Sequence, residues 1–215
     1  MRIAVFILII STLSAQGQAI LDASSLNAIV NSNGKMFGAE GVKYPKSENK
    51  FSFGETMLWI SGYHGADSFI SANILNNNTS DFQAGPISDD GLSGSQDSKW
   101  NTVYAVSSHA SFIHKNNFNK ENYTTPNSIL NWQANGESGF TNILAPFVDW
   151  NSNDIYEPTQ GDYPYIYGDQ MAYTVFNDRG VHGLTGGDGM GIQVENLVSV
   201  YGDNGNVYYR VKARP

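Results

Sequence analysis

Oxygen-bearing side chains recur at every second residue in Asp149-Trp150-Asn151-Ser152-Asn153-Asp154-Ile155. Oxygens spaced in this way let a loop wrap a hard cation such as calcium. With Asp149 at the first position of such a loop, Asn151 and Asn153 fall at the third and fifth, and the Ile155 carbonyl at the seventh. The stretch departs from a helix–loop–helix calcium site in three places. The sixth position holds Asp154 instead of Gly, the twelfth holds Gln160 instead of a bidentate Glu, and Pro158 spoils pairing with an exit helix. Asp162 stands where it can bend back and supply a second carboxylate. Calcium is thus the candidate cofactor, with Asp149, Asn151, Asn153, Ile155 and Asp162 as its candidate ligands. The alternative is a turn whose Asx side chains cap their own backbone.

Aromatic residues offer a second chemistry. Trp59, Trp100, Trp132 and Trp150, with Tyr163, Tyr165 and Tyr167, are able to stack on sugar rings. Trp59 and Trp132 sit in apolar surroundings and are expected in the core. Trp150, beside the acidic loop, is the candidate ligand-binding aromatic.

Signatures of catalysis are missing from the sequence. The run Gly186-Gly187-Asp188-Gly189-Met190-Gly191 precedes a strand, so no helix N-terminus follows to hold a phosphate, and it reads as a loop. His182 lies near Asp178 and Asp188 in sequence and is expected to join a polar cluster. His64, His109 and His114 show no triad partners, HExxH is absent, and Gly91-Leu92-Ser93-Gly94 is not a nucleophile elbow. Sequence alone cannot choose a glycosidase pair from 20 carboxylates. No catalytic residue is assigned, and a non-enzymatic role is preferred over a secreted hydrolase.

The elements that must position these residues are mostly strands. Asn33-Gly34 predicts a hairpin between Asn27–Val30 and Lys35–Phe37. Glu55–Ser61, too continuously apolar for a surface strand, is expected to pair with Asp67–Leu75 through Gly62-Tyr63-His64-Gly65. Further strands are expected at Trp100–Ser107, Gln170–Phe176, Ile192–Tyr201 and Asn206–Ala213, the last two joined by Asp203-Asn204-Gly205. In the final strand Tyr208, Arg210 and Lys212 take one face, and Val207, Tyr209 and Val211 the other. Helical pieces are expected at Ser108–Asn117 and Pro126–Trp132, and a long polar loop over Asn76–Ser98. The fold class is all-β, a β-sandwich or jelly-roll-like body with a few short helices.

Residues 1–19 read as a secretory signal peptide, with Arg2, an apolar run from Ile3 to Leu13, and small residues at Ala15, Gly17 and Ala19. Export is expected, and the apolar run is too short to span a bilayer as a helix. Residues 20–215 are expected to form a single β-rich domain, shortened at its C-terminus because the chain stops directly after a strand. With no cysteine, disulfides, thiol catalysis and zinc–thiolate sites are excluded. The formal charge is −8, and removing Arg2 makes it −9, which argues against nucleic acid and anionic membranes.

Several segments together resemble the N-terminal region of large secreted Bacteroidota proteins whose longer members end in a type IX secretion sorting domain. They are Asn33-Gly34-Lys35-Met36-Phe37, Met57-Leu58-Trp59-Ile60-Ser61-Gly62, Asp81-Phe82-Gln83-Ala84-Gly85-Pro86, Ser128-Ile129-Leu130-Asn131-Trp132, Leu144-Ala145-Pro146-Phe147-Val148-Asp149, Gly161-Asp162-Tyr163-Pro164, Gly168-Asp169-Gln170, Val175-Phe176-Asn177-Asp178 and Thr185-Gly186-Gly187. Relatives tend to read Asp-x-Asn-x-Asp-Gly at the acidic loop, where this chain has Asn153-Asp154. The sorting domain is not among its residues, so periplasmic residence stands beside the cell surface. The expected role is an exported structural or adhesion module whose partner is a cell-surface or extracellular protein or glycan. The alternative is a carbohydrate-binding module.

Overall fold

The computed structural model describes residues 17–37, 41–48, 50–52, 54–73, 80–95 and 98–214. The expected leader up to residue 16 lies outside the described residues. So do residues 74 and 75 of the second expected strand, and part of the loop expected over 76–98.

The first hairpin joins β1 (Gln18–Ala23) to β2 (Leu26–Asn31), and β3 (Val42–Lys43) pairs on the far side of β2. Two residues assigned to the leader, Gln18 and Ala19, thus pair in β1, where they oppose Asn31 and Val30. Gly17 is held as well, donating its N–H to Asn101 Oδ1 at 2.9 Å and accepting from Ser32 N at the same distance. The turn at Asn33-Gly34 is present, with Gly34 at φ +79°, but the expected ladder beyond it shrinks to a single bridge between Val30 and Met36. The partner that β2 takes instead is β1.

A second hairpin, β4 (Trp59–His64) and β5 (Asp67–Ala72), turns at Gly65-Ala66, later than expected. Its period of two corrects the reading of the Met57–Ile60 run as buried throughout. Leu58 and Ile60 pack inward beside Phe82, Phe176 and Val194, while Met57 and Trp59 face solvent.

The body is a five-stranded antiparallel sheet. β6 (Gln83–Ala84) and β7 (Tyr104–Ser107) share one edge of β10 (Gln170–Asn177), whose other edge pairs with β11 (Gln193–Tyr201), followed by β12 (Asn206–Arg214). Between β7 and β10 the chain forms α1 (Ser108–Asn117), α2 (Asn127–Leu130), β8 (Phe147–Val148) and β9 (Tyr163–Pro164). Helix α1 starts where Ser107 Oγ accepts the Ala110 N–H at 3.1 Å, an N-cap at the end of a strand.

Alternation along β10 separates two cores. Ala172 joins Val198 and Val200 against Leu21, Leu26, Ala28, Val30 and Val42 of the small sheet, a sheet-on-sheet packing. Met171, Tyr173 and Val175 face the other way, onto Trp100, Ile129, Trp132, Leu144 and Tyr156 of the helix-and-loop layer. Each large side chain so buried contributes roughly 1.5–3 kcal/mol. The all-β expectation with a few short helices holds, and no helix among the described residues is long and apolar enough to cross a membrane.

Candidate functional site

Strands β8 and β9 pair across only two residues, Phe147 with Pro164 and Val148 with Tyr163, and so clamp the ends of the acidic loop. Inside it, Asp149 Oδ1 accepts the Ser152 N–H and Oδ2 the Asp154 N–H, both at 2.7 Å. Desolvation pushes the Asp149 pKa up, but donors from Asn151 to Asp154 outweigh it and hold the carboxyl below its ordinary value. Asn153 Oδ1 accepts from Ile155 N, and its amide donates to Glu157 Oε2 at 2.6 Å. Asn151 Nδ2 reaches the same Glu157 oxygen at 3.5 Å. Ser152 and Asp154 both adopt left-handed backbone at φ +61°.

Asp162 does bend back to the loop, and it is fully buried there. Its two oxygens accept the Trp150 N–H at 2.8 Å and the Glu157 N–H at 2.6 Å. The carboxylate therefore ties the start of the loop to its end through backbone amides. Gly161, at φ +112°, is required just before it, because a Cβ there would meet the rings of Phe118 and Trp150. Trp150 is 53% exposed and packs edge-on against Phe118 of the helix layer, with centroids 5.7 Å apart.

His114 pins the loop to α1 from below. Its Nε2 lies 2.9 Å from the Pro158 carbonyl, which only accepts, so Nε2 carries the proton and Nδ1 accepts from the Tyr123 hydroxyl at 3.1 Å. Burial lowers the pKa of this ring and keeps it neutral. Among the described residues, no group of three or more His, Cys, Asp or Glu side chains is placed to hold a metal ion.

A second capped loop lies between β10 and β11. Asp178, fully buried, accepts from Ser71 Oγ, Met190 N and Ile192 N at 2.9, 2.8 and 2.6 Å. Asp81, almost as buried, accepts from Ala72 N, Leu184 N and Thr185 N, and these donors together with the Thr185 hydroxyl outweigh burial and hold its pKa below the ordinary value. His182 joins this cluster as expected, through the Asp178 carbonyl at 2.8 Å and the Ile70 carbonyl at 3.2 Å. Serine, histidine and carboxylate thus share one cluster, but Ser71 is bonded to Asp178, and His182 donates Nε2–H to the Asp178 carbonyl while its Nδ1 lies 3.4 Å from the Thr185 hydroxyl, so Ser71 has no histidine base. The Gly186–Gly191 run is the outer part of this loop.

The tryptophans divide unexpectedly. Trp132 is buried, its Nε1 donating to the Pro146 carbonyl at 3.0 Å. Trp59, expected in the core, is 62% exposed and fixed by an Nε1 bond to the Asn73 carbonyl at 3.0 Å. Several concavities mark the described surface. A cleft of about 660 Å³ between β7 and α2, of mixed polar and apolar lining, includes Lys99, Tyr104, Asn127, Asn131, Trp132 and Tyr156. Its tryptophan ring is buried, and Lys99 is paired with Glu137 at 3.1 Å.

A smaller groove of about 280 Å³ lies on the outer face of β11 and β12, bordered by Tyr167, Tyr201 and Tyr208. Sequence reasoning named Tyr167 and put Tyr208 and Arg210 on one face of the last strand. It missed Tyr201, which the β11–β12 register puts on that same face, diagonal to Tyr208.

Comparison with protein-family models, with curated proteins and with solved structures finds nothing that matches this chain.

Proposed function

We propose that the chain is an exported, non-enzymatic binding module of the cell surface or the extracellular space, and that its ligand is a glycan. The observation that carries this reading is the set of aromatic rings that stay exposed while being fixed on strands or strand ends. Trp59 is held by a main-chain bond, Tyr165 and Tyr167 pack edge to face at 5.1 Å, and Tyr201 and Tyr208 do so at 5.4 Å. Fixed, half-exposed rings offer flat apolar faces to pyranose rings at little cost in side-chain ordering. The buried carboxylates support the same reading, because Asp81, Asp162 and Asp178 are occupied by backbone donors. Export rests on the N-terminal sequence pattern. A glycan array probed with the chain lacking residues 1–16 tests the proposal. Saturable binding is expected, and an array without a single binder would overturn it.

The acidic loop supports a second, compatible reading as a calcium-stabilised turn. Left-handed Ser152 and Asp154 fold the chain so that Asp149, Asn151 and Asn153 follow one another around the loop. A cation that binds only the folded protein raises its melting temperature by mass action. Thermal unfolding in calcium and in excess chelator decides it: a rise that vanishes in Asp149→Ala supports the site, and identical curves reduce the loop to a self-capped turn.

A further inference from the structure

Building on the glycan reading, we infer that the ligand site is the groove between β11 and β12, and that it takes a sugar bearing a carboxylate, a uronic acid. The groove is lined by Tyr167, Leu197, Ser199, Tyr201, Tyr208 and Arg210. The strand register sets Ser199 opposite Tyr208 and Leu197 opposite Arg210, so the floor is narrow and its walls are aromatic on one end and cationic on the other.

Both ring pairs are set before any ligand arrives. Tyr201 meets Tyr208 at an interplanar angle of 75°, and Tyr165 braces Tyr167 at 72°. Tyr208 is 58% exposed and Tyr167 44%, and both line the groove. A pyranose presents an apolar C–H face and a rim of hydroxyls, and the tyrosine faces, tyrosine hydroxyls and Ser199 match both.

Charge selects among sugars. The wet face of β12 carries Arg210, Lys212 and Arg214 in a row. Glu195 is bonded to Arg214 and lies 3.5 Å from Lys212. Among the described residues Arg210 has no carboxylate partner. A planar guanidinium beside an aromatic wall is suited to a carboxylate, which it meets through two parallel N–H···O bonds. The chain as a whole carries a formal charge of −8, so a preference for a carboxylate belongs to the groove that Arg210 borders and not to the surface as a whole. An acidic peptide shares the carboxylate but lacks the flat C–H face and the dense hydroxyls.

Calorimetric titration of the chain with trimers of galacturonate, glucuronate and mannuronate, neutral galactotriose and triglutamate tests the assignment. At least one uronate trimer is expected to bind more tightly than galactotriose and triglutamate, and to weaken with added salt. Arg210→Gln should weaken it about tenfold, the loss of one charge-assisted contact, and Arg210→Lys should restore only part. Tyr208→Ala should weaken binding at least as much with unchanged circular dichroism. Equal binding of galactotriose, equal binding of triglutamate, or no uronate binding overturns the inference. If uronate binding survives the groove variants but is lost in Trp59→Ala or Trp150→Ala, the site is overturned while the glycan reading stands. An array without any glycan binder removes both.

Discussion

The acidic loop at 149–162 and the groove on β11 and β12 both gather aromatic and polar side chains at the surface, yet they use them in opposite ways. In the loop the oxygens of Asp149, Asn153 and Asp162 are taken up by the loop's own backbone amides. Asp149 and Asp162 each take two backbone amides, Asn153 takes a third kind of turn bond, and Trp150 leans on Phe118. In the groove the tyrosines brace one another, and Arg210 is left without an acidic partner among the described residues. Chemically eye-catching residues mark a binding surface only where their bonding capacity is left over. A dense set of carboxylates and amides is equally the means by which a chain without disulfides fixes a long connection.

Substitutions should separate the two regions by which property they damage. The largest loss of stability is expected in the capped loops. Asp178→Ala strands two half-buried amides and the buried Ser71 hydroxyl, at about 1–3 kcal/mol for each unsatisfied group, so a drop of about 4 kcal/mol is expected in urea unfolding. Asp162→Ala strands two amides and should cost about 2–3 kcal/mol, leaving glycan binding in the groove intact. A loss below 1 kcal/mol in both would show that water replaces these carboxylates, and the contrast between the regions would collapse.

The His114 pin predicts a pH dependence of definite sign. Its folded pKa lies below the ordinary value of 6.5, so the unfolded chain takes up the proton first. The stability it supports is full above 6.5 and declines as pH falls below that value toward the folded pKa. Melting temperatures between about pH 8 and pH 5 should show this decline, and His114→Gln should flatten it. The same decline in the variant would transfer the effect to another group.

Smaller effects sharpen the comparison further. Trp150→Ala removes an edge-to-face partner of Phe118 and should cost about 1 kcal/mol with no effect on uronate binding. Arg210→Gln should change stability by less than about 0.5 kcal/mol while weakening uronate binding. Binding lost in the first variant and kept in the second would reverse the roles assigned to the two regions.

Much of the frame was legible in the sequence because it depends on local pattern. The aromatic and β-branched run Gln170–Phe176, the alternation in Asn206–Ala213 and the Asp203-Asn204-Gly205 turn marked strands of the central sheet, and Phe112 and Ile113 on one side of Ser108–Asn117 marked α1. What failed depended on distant partners. β2 took β1 over the segment beyond Gly34, because that pairing lines up six residue pairs and places Leu21 and Ala23 in the core. Trp59 looked internal from its apolar neighbours, but a hairpin with one inward face leaves every second residue outside. The groove was half visible. Alternation placed Tyr208 with Arg210, while Tyr201 and Tyr167 reach them only through the register of β11 and the entry to β10.

The most direct measurement is a heteronuclear NMR titration of the labelled chain with the tightest-binding uronate trimer. Amide shifts confined to residues 165–167, 197–201 and 206–212, with 149–162 unmoved, are the predicted result. Shifts centred on 149–162, or on the Trp59 hairpin, would contradict the account.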